Sequence, residues 1–248
     1  MSAHFFTDFP AMILAAGRGE RMRPLTDHLP KPMLEVHGKN LLQYHIEGLK
    51  KNHFKKVVIN HAWLGDRIEA YFGNGFAFGI DILYSTETEA LETAGGIRNA
   101  LQLLDPSDYF LVLNGDTFMP DFPFERISQI VEQLRRENHL HQPQTLAYLF
   151  LVPNPPHHPQ GDFCLLDNQI LPEGLVQPEL VTTPQFTFSG AGIYHRDLFN
   201  HIGYGQKAPL APLLREAINQ RRVRGEVLEC AWHDVGTPDR LYSLNESI

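Results

Sequence analysis

Strand-like and helix-like segments alternate through the first 152 residues, and this alternation constrains the fold more than any other feature of the chain. In the helix-like segments, apolar residues recur at intervals of three and four, the period of an amphipathic helix. Strands that alternate with helices are typical of βαβ units. The sequence therefore predicts an α/β fold with a Rossmann-like, mostly parallel sheet and helices on both faces. The predicted strands are 11–17, 55–62, 80–86, 109–116 and 145–152, and the predicted helices are 41–52, 64–72, 93–104 and 124–138.

The second half of the chain has a different pattern. A proline-rich segment, VPNPPHHPQGD, precedes several β-like segments and one helix-like segment, so we expect this half to be β-rich. No repeat or linker separates the halves, and a chain of 248 residues can bury one core. We therefore expect residues 11–248 to form a single domain and residues 1–10 to form a short leader. The β-like segments are 163–171, 186–195 and 226–236, and the helix-like segment is 211–220.

The composition argues against several classes of partner. A formal net charge of −8 disfavours nucleic acid, because a phosphate backbone attracts a basic surface, but it allows a small anion held by local cations. No apolar run approaches the ~18 residues that span a membrane, and the first residues do not resemble a signal peptide. Cys164 and Cys230 predict reduced thiols rather than a disulfide framework. We expect a cytoplasmic protein without membrane association, and no protein partner is implied.

A glycine-rich turn with excess positive charge follows the first predicted strand. The segment LAAGRGERMRPLTDHLPKP (14–32) carries three arginines and a lysine against two acidic residues. In an open parallel sheet, ligands bind at the carboxyl ends of strands, and the N–H groups of a tight turn can face an anion. This predicts phosphate binding. The dinucleotide pattern G-x-G-x-x-G fails at Met22, which disfavours a nicotinamide-dependent oxidoreductase, and the Walker pattern is absent.

Two aspartates follow β-like segments, and each could serve a metal ion. Asp116 ends an apolar strand in NGD, and Asp234 lies in HDVGT near the end of the chain. Carboxylate oxygens are suitable ligands for a hard divalent cation, although an aspartate that caps the next helix fits the first pattern equally. The sequence does not show whether the two side chains meet.

Two further segments also have more than one interpretation. The acidic segment ETEALETAGG (87–96) joins a strand to a helix, where it could complement the helix dipole or bind the edge of a base. His157 and His158 are adjacent in a proline-rich loop and cannot easily face one ion, so we interpret them as solvated.

Four motifs resemble the sugar-1-phosphate nucleotidyltransferase family, and they occur in the family's order. In chain order they are the glycine-rich segment, the LET-containing segment, LNGD and HDVGT, and the resemblance extends over nearly the whole chain after residue 10. It implies the nucleotidyltransferase fold. It also implies the transfer of a nucleotidyl group from a nucleoside triphosphate to a sugar 1-phosphate, with release of pyrophosphate.

Several segments resemble the family members that use UTP and N-acetylmuramic acid 1-phosphate in peptidoglycan recycling. These segments are VINHAWLGDRIE, YSTETEALETAGGI, NPPHHPQGDF, FTFSGAGIY and KAPLAPLLREA. Glucose 1-phosphate or mannose 1-phosphate as the sugar substrate is the nearer alternative. A non-catalytic nucleotide-sugar sensor on the same fold is the more distant one.

The resemblance assigns roles to individual residues. Glu87 stands where some relatives carry a glutamine that reads uracil. For a sugar with a lactyl carboxylate, Lys207 and Arg215 are candidate partners because a buried charge requires one. The triphosphate is expected to be lined by Gly17, Gly19 and Glu20, and the residues expected to act catalytically on the phosphates are Arg21 and Lys31. Uracil is expected to face Glu87 and Thr93, and the sugar is expected to face Asn114, Asp162 and Gly190. The Mg²⁺ ion is expected to be held by Asp116 and Asp234.

Overall fold

Thirteen strands and six α-helices form within residues 9–138, 145–172 and 184–247, the parts of the chain that the computed structural model describes. The strands are β1 (Ala11–Leu14), β2 (Glu35–Val36), β3 (Lys39–Asn40), β4 (Lys56–His61), β5 (Asp81–Thr86), β6 (Tyr109–Asn114), β7 (Thr117–Phe118), β8 (Ala147–Val152), β9 (Phe163–Leu166), β10 (Gln169–Leu171), β11 (Gln185–His195), β12 (Val223–Val227) and β13 (His233–Asp234). The helices are α1 (Leu41–Lys51), α2 (Gly65–Phe72), α3 (Glu92–Ala100), α4 (Glu125–Asn138), α5 (Leu210–Asn219) and α6 (Pro238–Glu246).

One nine-stranded sheet contains strands from both halves of the chain, in the order β5-β4-β1-β6-β11-β8-β12-β10-β9. The first four strands of this order are parallel, as predicted from the alternation of strands and helices. From β11 onwards most pairings are antiparallel, and β12 returns parallel to β8. The predicted α/β fold with a β-rich second half is confirmed.

Helices cover both faces of the sheet because the central strands are apolar on both sides. In β1, Ala11 and Ile13 pack on the face that carries α1, α2 and α4, whereas Met12 packs on the face of α3 and α5. All three side chains are fully buried. Burying a side chain as large as isoleucine or methionine contributes about 1.5–3 kcal/mol to the stability of the fold. Because alternate residues of β1 point to opposite faces of the sheet, the strand stabilises a helix layer on each face.

Local signals fix where several helices begin. The Asn40 side chain caps α1 by accepting a hydrogen bond from the Gln43 N–H at 2.8 Å. The predicted apolar stripe of α4 is buried against the sheet as expected. Helix α6 was not predicted from the sequence, although the Thr237 hydroxyl caps it and Pro238 occupies its first turn. Among the helices in the described residues, none is long and apolar enough to cross a membrane.

The amino-terminal boundary of the fold lies before Ala11. Residues 1–8 of the predicted leader fall outside the described residues. Phe9 is buried and packs edge-on against Phe54, and the Pro10 carbonyl accepts a hydrogen bond from the Leu111 N–H at 3.1 Å. These two residues therefore already belong to the packed structure.

The order of the strands places a crevice between β1 and β6. From β1 the chain proceeds outward to β4 and β5 and then returns to place β6 on the other side of β1. Leu14 and Asn114, the last residues of these two strands, lie side by side in the parallel pairing. Because the loops after β1 and β6 diverge from this point, it is the switch point at which open α/β sheets bind ligands.

Candidate active site

Three adjoining cavities lie at this switch point, and Asn114 borders all of them. Glu92 and Thr93 border the first two, and Asp116 borders the first and third. Of the residues predicted from the sequence, Gly19, Glu20, Glu87 and Lys207 border none of the three. We name the cavities the loop cleft (about 210 Å³; Gly17, Lys31, Asn60, Thr93), the α5 pocket (about 820 Å³; Asp162, Phe188, Leu214, Arg215) and the aspartate cleft (about 420 Å³; Arg21, Asp116, Gly190, Asp234).

A short antiparallel pairing brings the two predicted metal-binding aspartates together. Strand β7 begins directly after Asp116, β13 ends at Asp234, and Asp234 lies opposite Thr117 in the pairing of these two strands. The Val235 N–H also donates to the Asp116 carbonyl oxygen at 3.3 Å. Two carboxylates that are distant in the sequence therefore border one cleft.

Each aspartate is bound by a cation through one carboxylate oxygen. Lys31 Nζ lies 2.5 Å from Asp116 Oδ2, and Arg240 Nη1 lies 2.6 Å from Asp234 Oδ2. The Lys31 side chain is only 9% exposed, and its ion pair with this carboxylate offsets the cost of burying the positive charge. Within the described residues, neither Oδ1 atom has a hydrogen-bond partner, which leaves one anionic oxygen of each aspartate available.

The cationic side chains of the glycine-rich segment have different partners. Arg23 Nε donates to Asp27 Oδ1 at 2.7 Å, and this hydrogen bond lowers the pKa of the Asp27 carboxyl. Lys31 is bound to Asp116. Arg21 is exposed, borders the aspartate cleft and makes no ion pair with any other described residue. Arg21 is therefore the cation of this segment that is best placed to meet a ligand anion.

Arg18 is held by Trp63, which follows β4. The Arg18 guanidinium carbon lies 3.9 Å from the centre of the Trp63 ring, and a cation in this position is attracted by the ring face. Arg18 Nη1 and Trp63 Nε1 both donate to the Thr26 carbonyl oxygen, at 2.8 and 3.1 Å. The loop after β4 therefore anchors the glycine-rich segment.

The two glycines of the turn have different environments. Gly19 has φ +69°, and a Cβ at this position would lie 3.0 Å from Thr26 Cγ2 and 3.1 Å from Lys31 Cβ. At Gly17 a Cβ would have no neighbour within 4 Å, and this residue borders the loop cleft. Gly19 therefore shapes the turn, whereas Gly17 leaves the backbone open to a ligand. Glu20 is exposed and lies outside all three cavities.

Glu87 lies behind the wall of the loop cleft, and its expected contact with uracil is corrected to a positioning role. The side chain is 4% exposed, and burial raises the pKa of its carboxyl. Its Oε1 accepts from Asn60 Nδ2 at 2.6 Å and its Oε2 from the Leu91 N–H at 2.9 Å. Asn60, which was not predicted, borders the loop cleft and accepts a hydrogen bond from the Ala15 N–H at 3.0 Å. Glu87 thus orients Asn60 and the turn before α3.

The residues expected on the sugar side meet where the α5 pocket adjoins the aspartate cleft. Gly190 has φ +84° at a bulge in β11, and a Cβ there would lie 2.8 Å from Asn114 Nδ2. Only glycine lets the Asn114 side chain occupy this place. Asp162 Oδ2 accepts from the Phe188 N–H at 2.8 Å, which fixes its carboxylate at the edge of the α5 pocket.

The adjacent histidines point to different carboxylates, in agreement with the expectation that they do not share an ion. His157 Nε2 lies 3.9 Å from Asp234 Oδ2, and His158 Nε2 lies 3.0 Å from Asp162 Oδ1. Both border the aspartate cleft, so they are not merely solvated loop residues.

Two other residues of the aspartate cleft were not predicted from the sequence. Arg240 binds Asp234 from helix α6, and Trp232 Nε1 donates to the Ser189 carbonyl oxygen at 2.8 Å. No sequence motif marked either residue. Trp232 lies within the predicted β-like segment 226–236, and Arg240 lies in a helix that was itself not predicted.

Of the two cations considered for a sugar carboxylate, only Arg215 borders the α5 pocket. Lys207 is 64% exposed and lies 3.9 Å from Glu92 Oε1, outside the three cavities. The structure therefore favours Arg215 for this role.

The chain belongs to the nucleotidyl transferase family, whose profile matches residues 10–248. It is 49% identical to the N-acetylmuramate alpha-1-phosphate uridylyltransferase of Neisseria meningitidis serogroup B, over 93% of this chain and 94% of the relative. It is 29% identical to the D-glycero-alpha-D-manno-heptose 1-phosphate guanylyltransferase of Campylobacter jejuni, over 94% and 96% of the two chains. The crystal structure of HddC from Yersinia pseudotuberculosis superposes with a TM-score of 0.71 at 19% identity, over 96% of this chain and 98% of HddC. This last likeness concerns the fold.

The corrected role of Glu87 predicts a loss of stability in Glu87→Gln. A glutamine amide turns one of its two ends into a donor, which then faces the Asn60 amide or the Leu91 N–H. We expect the free energy of unfolding to fall by about 1–3 kcal/mol, measured by urea denaturation, with the preference for UTP over CTP unchanged. The exposed neighbour provides the control, Glu89→Gln, which should retain wild-type stability. A changed nucleotide preference at wild-type stability would instead assign Glu87 to the base.

Proposed function

We propose that this protein transfers UMP from UTP to N-acetylmuramic acid 1-phosphate, giving UDP-N-acetylmuramic acid and pyrophosphate. The observation that carries the proposal is that three cavities meet at Asn114. The loop cleft adjoins the glycine-rich turn, the aspartate cleft contains the pair of carboxylates, and the larger α5 pocket contains an arginine. The nearly full-length identity of 49% to the meningococcal uridylyltransferase supports this choice of nucleotide and sugar. We also propose that the reaction serves peptidoglycan recycling in the cytoplasm, the compartment that supplies nucleoside triphosphates.

In the proposed reaction an oxygen of the sugar phosphate attacks the α-phosphorus of UTP, and the bond to pyrophosphate breaks. No covalent enzyme intermediate is required, so the protein acts by alignment and by stabilising charge. The backbone at Gly17 approaches the triphosphate, and Arg21 and Lys31 neutralise the negative charge that builds on the departing pyrophosphate. Thr93 contacts the nucleoside, and Asn114 lies between the nucleotide and the sugar.

The two aspartates of the site fit a magnesium ion. In the described residues, no group of three or more His, Cys, Asp or Glu side chains is arranged to hold a metal. Magnesium typically binds to one or two protein carboxylates and completes its octahedron with substrate phosphates and water. Asp116 and Asp234 border one cleft, and each has one unpaired oxygen for this purpose. A bound Mg²⁺ would align the phosphates and offset their charge.

The α5 pocket fits a sugar that carries both apolar groups and a carboxylate. Phe188 and Leu214 provide apolar surface for the methyl groups of the lactyl and N-acetyl substituents. Arg215 provides a planar guanidinium, which can bind a carboxylate through two parallel hydrogen bonds. Asp162 accepts hydrogen bonds and suits a sugar hydroxyl.

The cations of the glycine-rich segment should differ in their contribution to turnover. We expect Arg21→Ala and Lys31→Ala each to lower kcat roughly a hundredfold, or about 3 kcal/mol, because charge builds on the leaving pyrophosphate. Arg23→Ala is the matched control and should retain most activity, since Arg23 is bound to Asp27. Steady-state pyrophosphate release measures all three variants. Equal losses at the three positions would contradict the assigned roles.

The metal assignment predicts a similar defect in Asp116→Asn and Asp234→Asn. Each substitution removes one anionic ligand, so kcat should fall at least tenfold and saturation should require more Mg²⁺. Asp197→Asn is the control, because Asp197 lies in the turn after β11, where that strand ends beside the start of β6. Mg²⁺ titrations of initial rates distinguish the variants. Near wild-type turnover of Asp234→Asn at saturating Mg²⁺ would exclude the shared site.

The proposed substrate is tested by a pyrophosphate-release screen of UTP, CTP, GTP, ATP and dTTP against a panel of sugar 1-phosphates. We expect kcat/KM with UTP and N-acetylmuramic acid 1-phosphate to exceed the value with N-acetylglucosamine 1-phosphate by at least a hundredfold, because the second sugar lacks the lactyl carboxylate that Arg215 is placed to bind. Arg215→Met should reduce this preference. A preference for glucose 1-phosphate or mannose 1-phosphate would overturn the choice of sugar, and stabilisation by a nucleotide sugar without pyrophosphate release would indicate a sensor.

A further inference from the structure

Glu92 has an unusual backbone conformation on the wall of the cleft. Its φ is +61°, in the left-handed region that glycine adopts readily and other residues avoid. Seven non-glycine residues of the described chain have positive φ, and Glu92 alone among them borders any of the three cavities. Strain of this kind is tolerated where the surrounding structure fixes the backbone, and it occurs often at functional sites.

The neighbouring backbone holds Glu92 in this conformation. Leu91, immediately before it, accepts a hydrogen bond from the Ala208 N–H at 3.0 Å. The N–H groups of Ala94 and Gly95, just after it, donate to the Ala208 carbonyl at 3.0 and 3.1 Å. A glycine would satisfy this geometry without steric cost. Backbone geometry alone would therefore favour glycine at this position, so the reason for a glutamate here lies in its side chain.

The side chain lies between the nucleotide and sugar sides of the site. It is 49% exposed, and the residue borders both the loop cleft and the α5 pocket. Its nearest cation, Lys207, is 3.9 Å away and 64% exposed, so the pair is solvated and contributes little. The ion pair alone does not account for a strained glutamate at this position.

The charge of Glu92 limits what it can bind. A carboxylate accepts hydrogen bonds and donates none, and it repels phosphate. Glu92 does not border the aspartate cleft, where Arg21 lies, so it is separated from the cation best placed for phosphate. Its partner is then a neutral donor. The two proposed substrates also offer the uracil N3–H and an acetamido N–H, but hydroxyl groups of the ribose and of the sugar are their most numerous neutral donors.

We infer that Glu92 is a specificity-determining residue, whose carboxylate accepts hydrogen bonds from a hydroxyl group of the UTP ribose or of the sugar 1-phosphate where the loop cleft meets the α5 pocket. The inference rests on the proposed function. It gives a side-chain role to the glutamate of the LET-containing segment, to which the resemblance assigned none.

The experiment uses a substitution that relieves strain while it removes the side chain. In Glu92→Gly the Tm should be no lower than in the wild type, whereas kcat/KM should fall roughly 10- to 100-fold, the effect of losing a hydrogen bond to a charged group. His53→Gly is the matched control: His53 has φ +66° in the turn after α1, is exposed and borders none of the three cavities. In this control the Tm should likewise be no lower than in the wild type, and kcat/KM should equal the wild-type value.

Two further arms identify the donor and exclude an indirect effect. If the 2′-hydroxyl of the ribose is the donor, the preference of the wild type for UTP over 2′-deoxy-UTP should disappear in Glu92→Gly, which has no side-chain acceptor. If the sugar is the donor, that preference should persist and KM for the sugar 1-phosphate should rise. Lys207→Met should retain wild-type kinetics. An equal loss of kcat/KM in Lys207→Met would overturn the inference, because Glu92 would then act through the lysine. Wild-type kcat/KM in Glu92→Gly would also overturn it.

Failure of the proposed function gives a separate result. If the wild type releases no pyrophosphate with any sugar 1-phosphate, the proposed reaction is wrong. Calorimetric titration with UTP, 2′-deoxy-UTP and the sugar 1-phosphates then decides the role of Glu92. A weaker Kd in Glu92→Gly than in the wild type for one of these compounds supports the inference, and equal Kd values for all of them overturn it.

Discussion

The site depends on the pairing of β7 with β13, two strands of two residues each. This pairing attaches the end of the chain to the turn that follows β6, and it places Asp234 beside the segment that carries Asp116. So short a ladder is marginal by itself. Packing of α6 supports it, because Val235 and Leu241 join Phe118 and Met22 in a small apolar cluster next to the glycine-rich segment. The same cluster therefore stabilises the placement of the two aspartates and the turn.

Opposite charges balance one another across the site. Lys31 is buried and bound to Asp116, and Arg240 is bound to Asp234, so neither carboxylate lies without a cation. A divalent cation adds positive charge to the site, and a polyphosphate adds negative charge. In the proposed reaction Lys31 and Arg240 would bind phosphate while the two carboxylates would bind the metal, so each charge would keep a partner of opposite sign. Such an exchange limits the desolvation cost that an unpaired buried charge would carry.

The parallel half of the sheet could be predicted because its signals are local. Apolar strands and amphipathic helices gave β1, β4, β5 and β6 to within a few residues, and the position of the glycine-rich turn followed from the end of β1. The approach of Asp234 to Asp116 could not be predicted, since it depends on a two-residue pairing between distant segments. Helix α6 is only nine residues long, and its threonine cap and proline directly follow the β-like segment 226–236, so the sequence did not predict it.

The acidic segment between β5 and α3 shows why residue type alone does not assign a role. Glu87 and Glu92 lie five residues apart, and both could have complemented the dipole of α3 or faced a ligand. The turn between them separates their environments: Glu87 enters the interior and uses both oxygens on Asn60 and Leu91, whereas Glu92 stands exposed at the cleft. The buried carboxylate is the more constrained of the two, because each of its oxygens already has a donor. The exposed carboxylate can accept hydrogen bonds from a ligand. Of the two glutamates, Glu92 is therefore the one that is placed to contact a substrate.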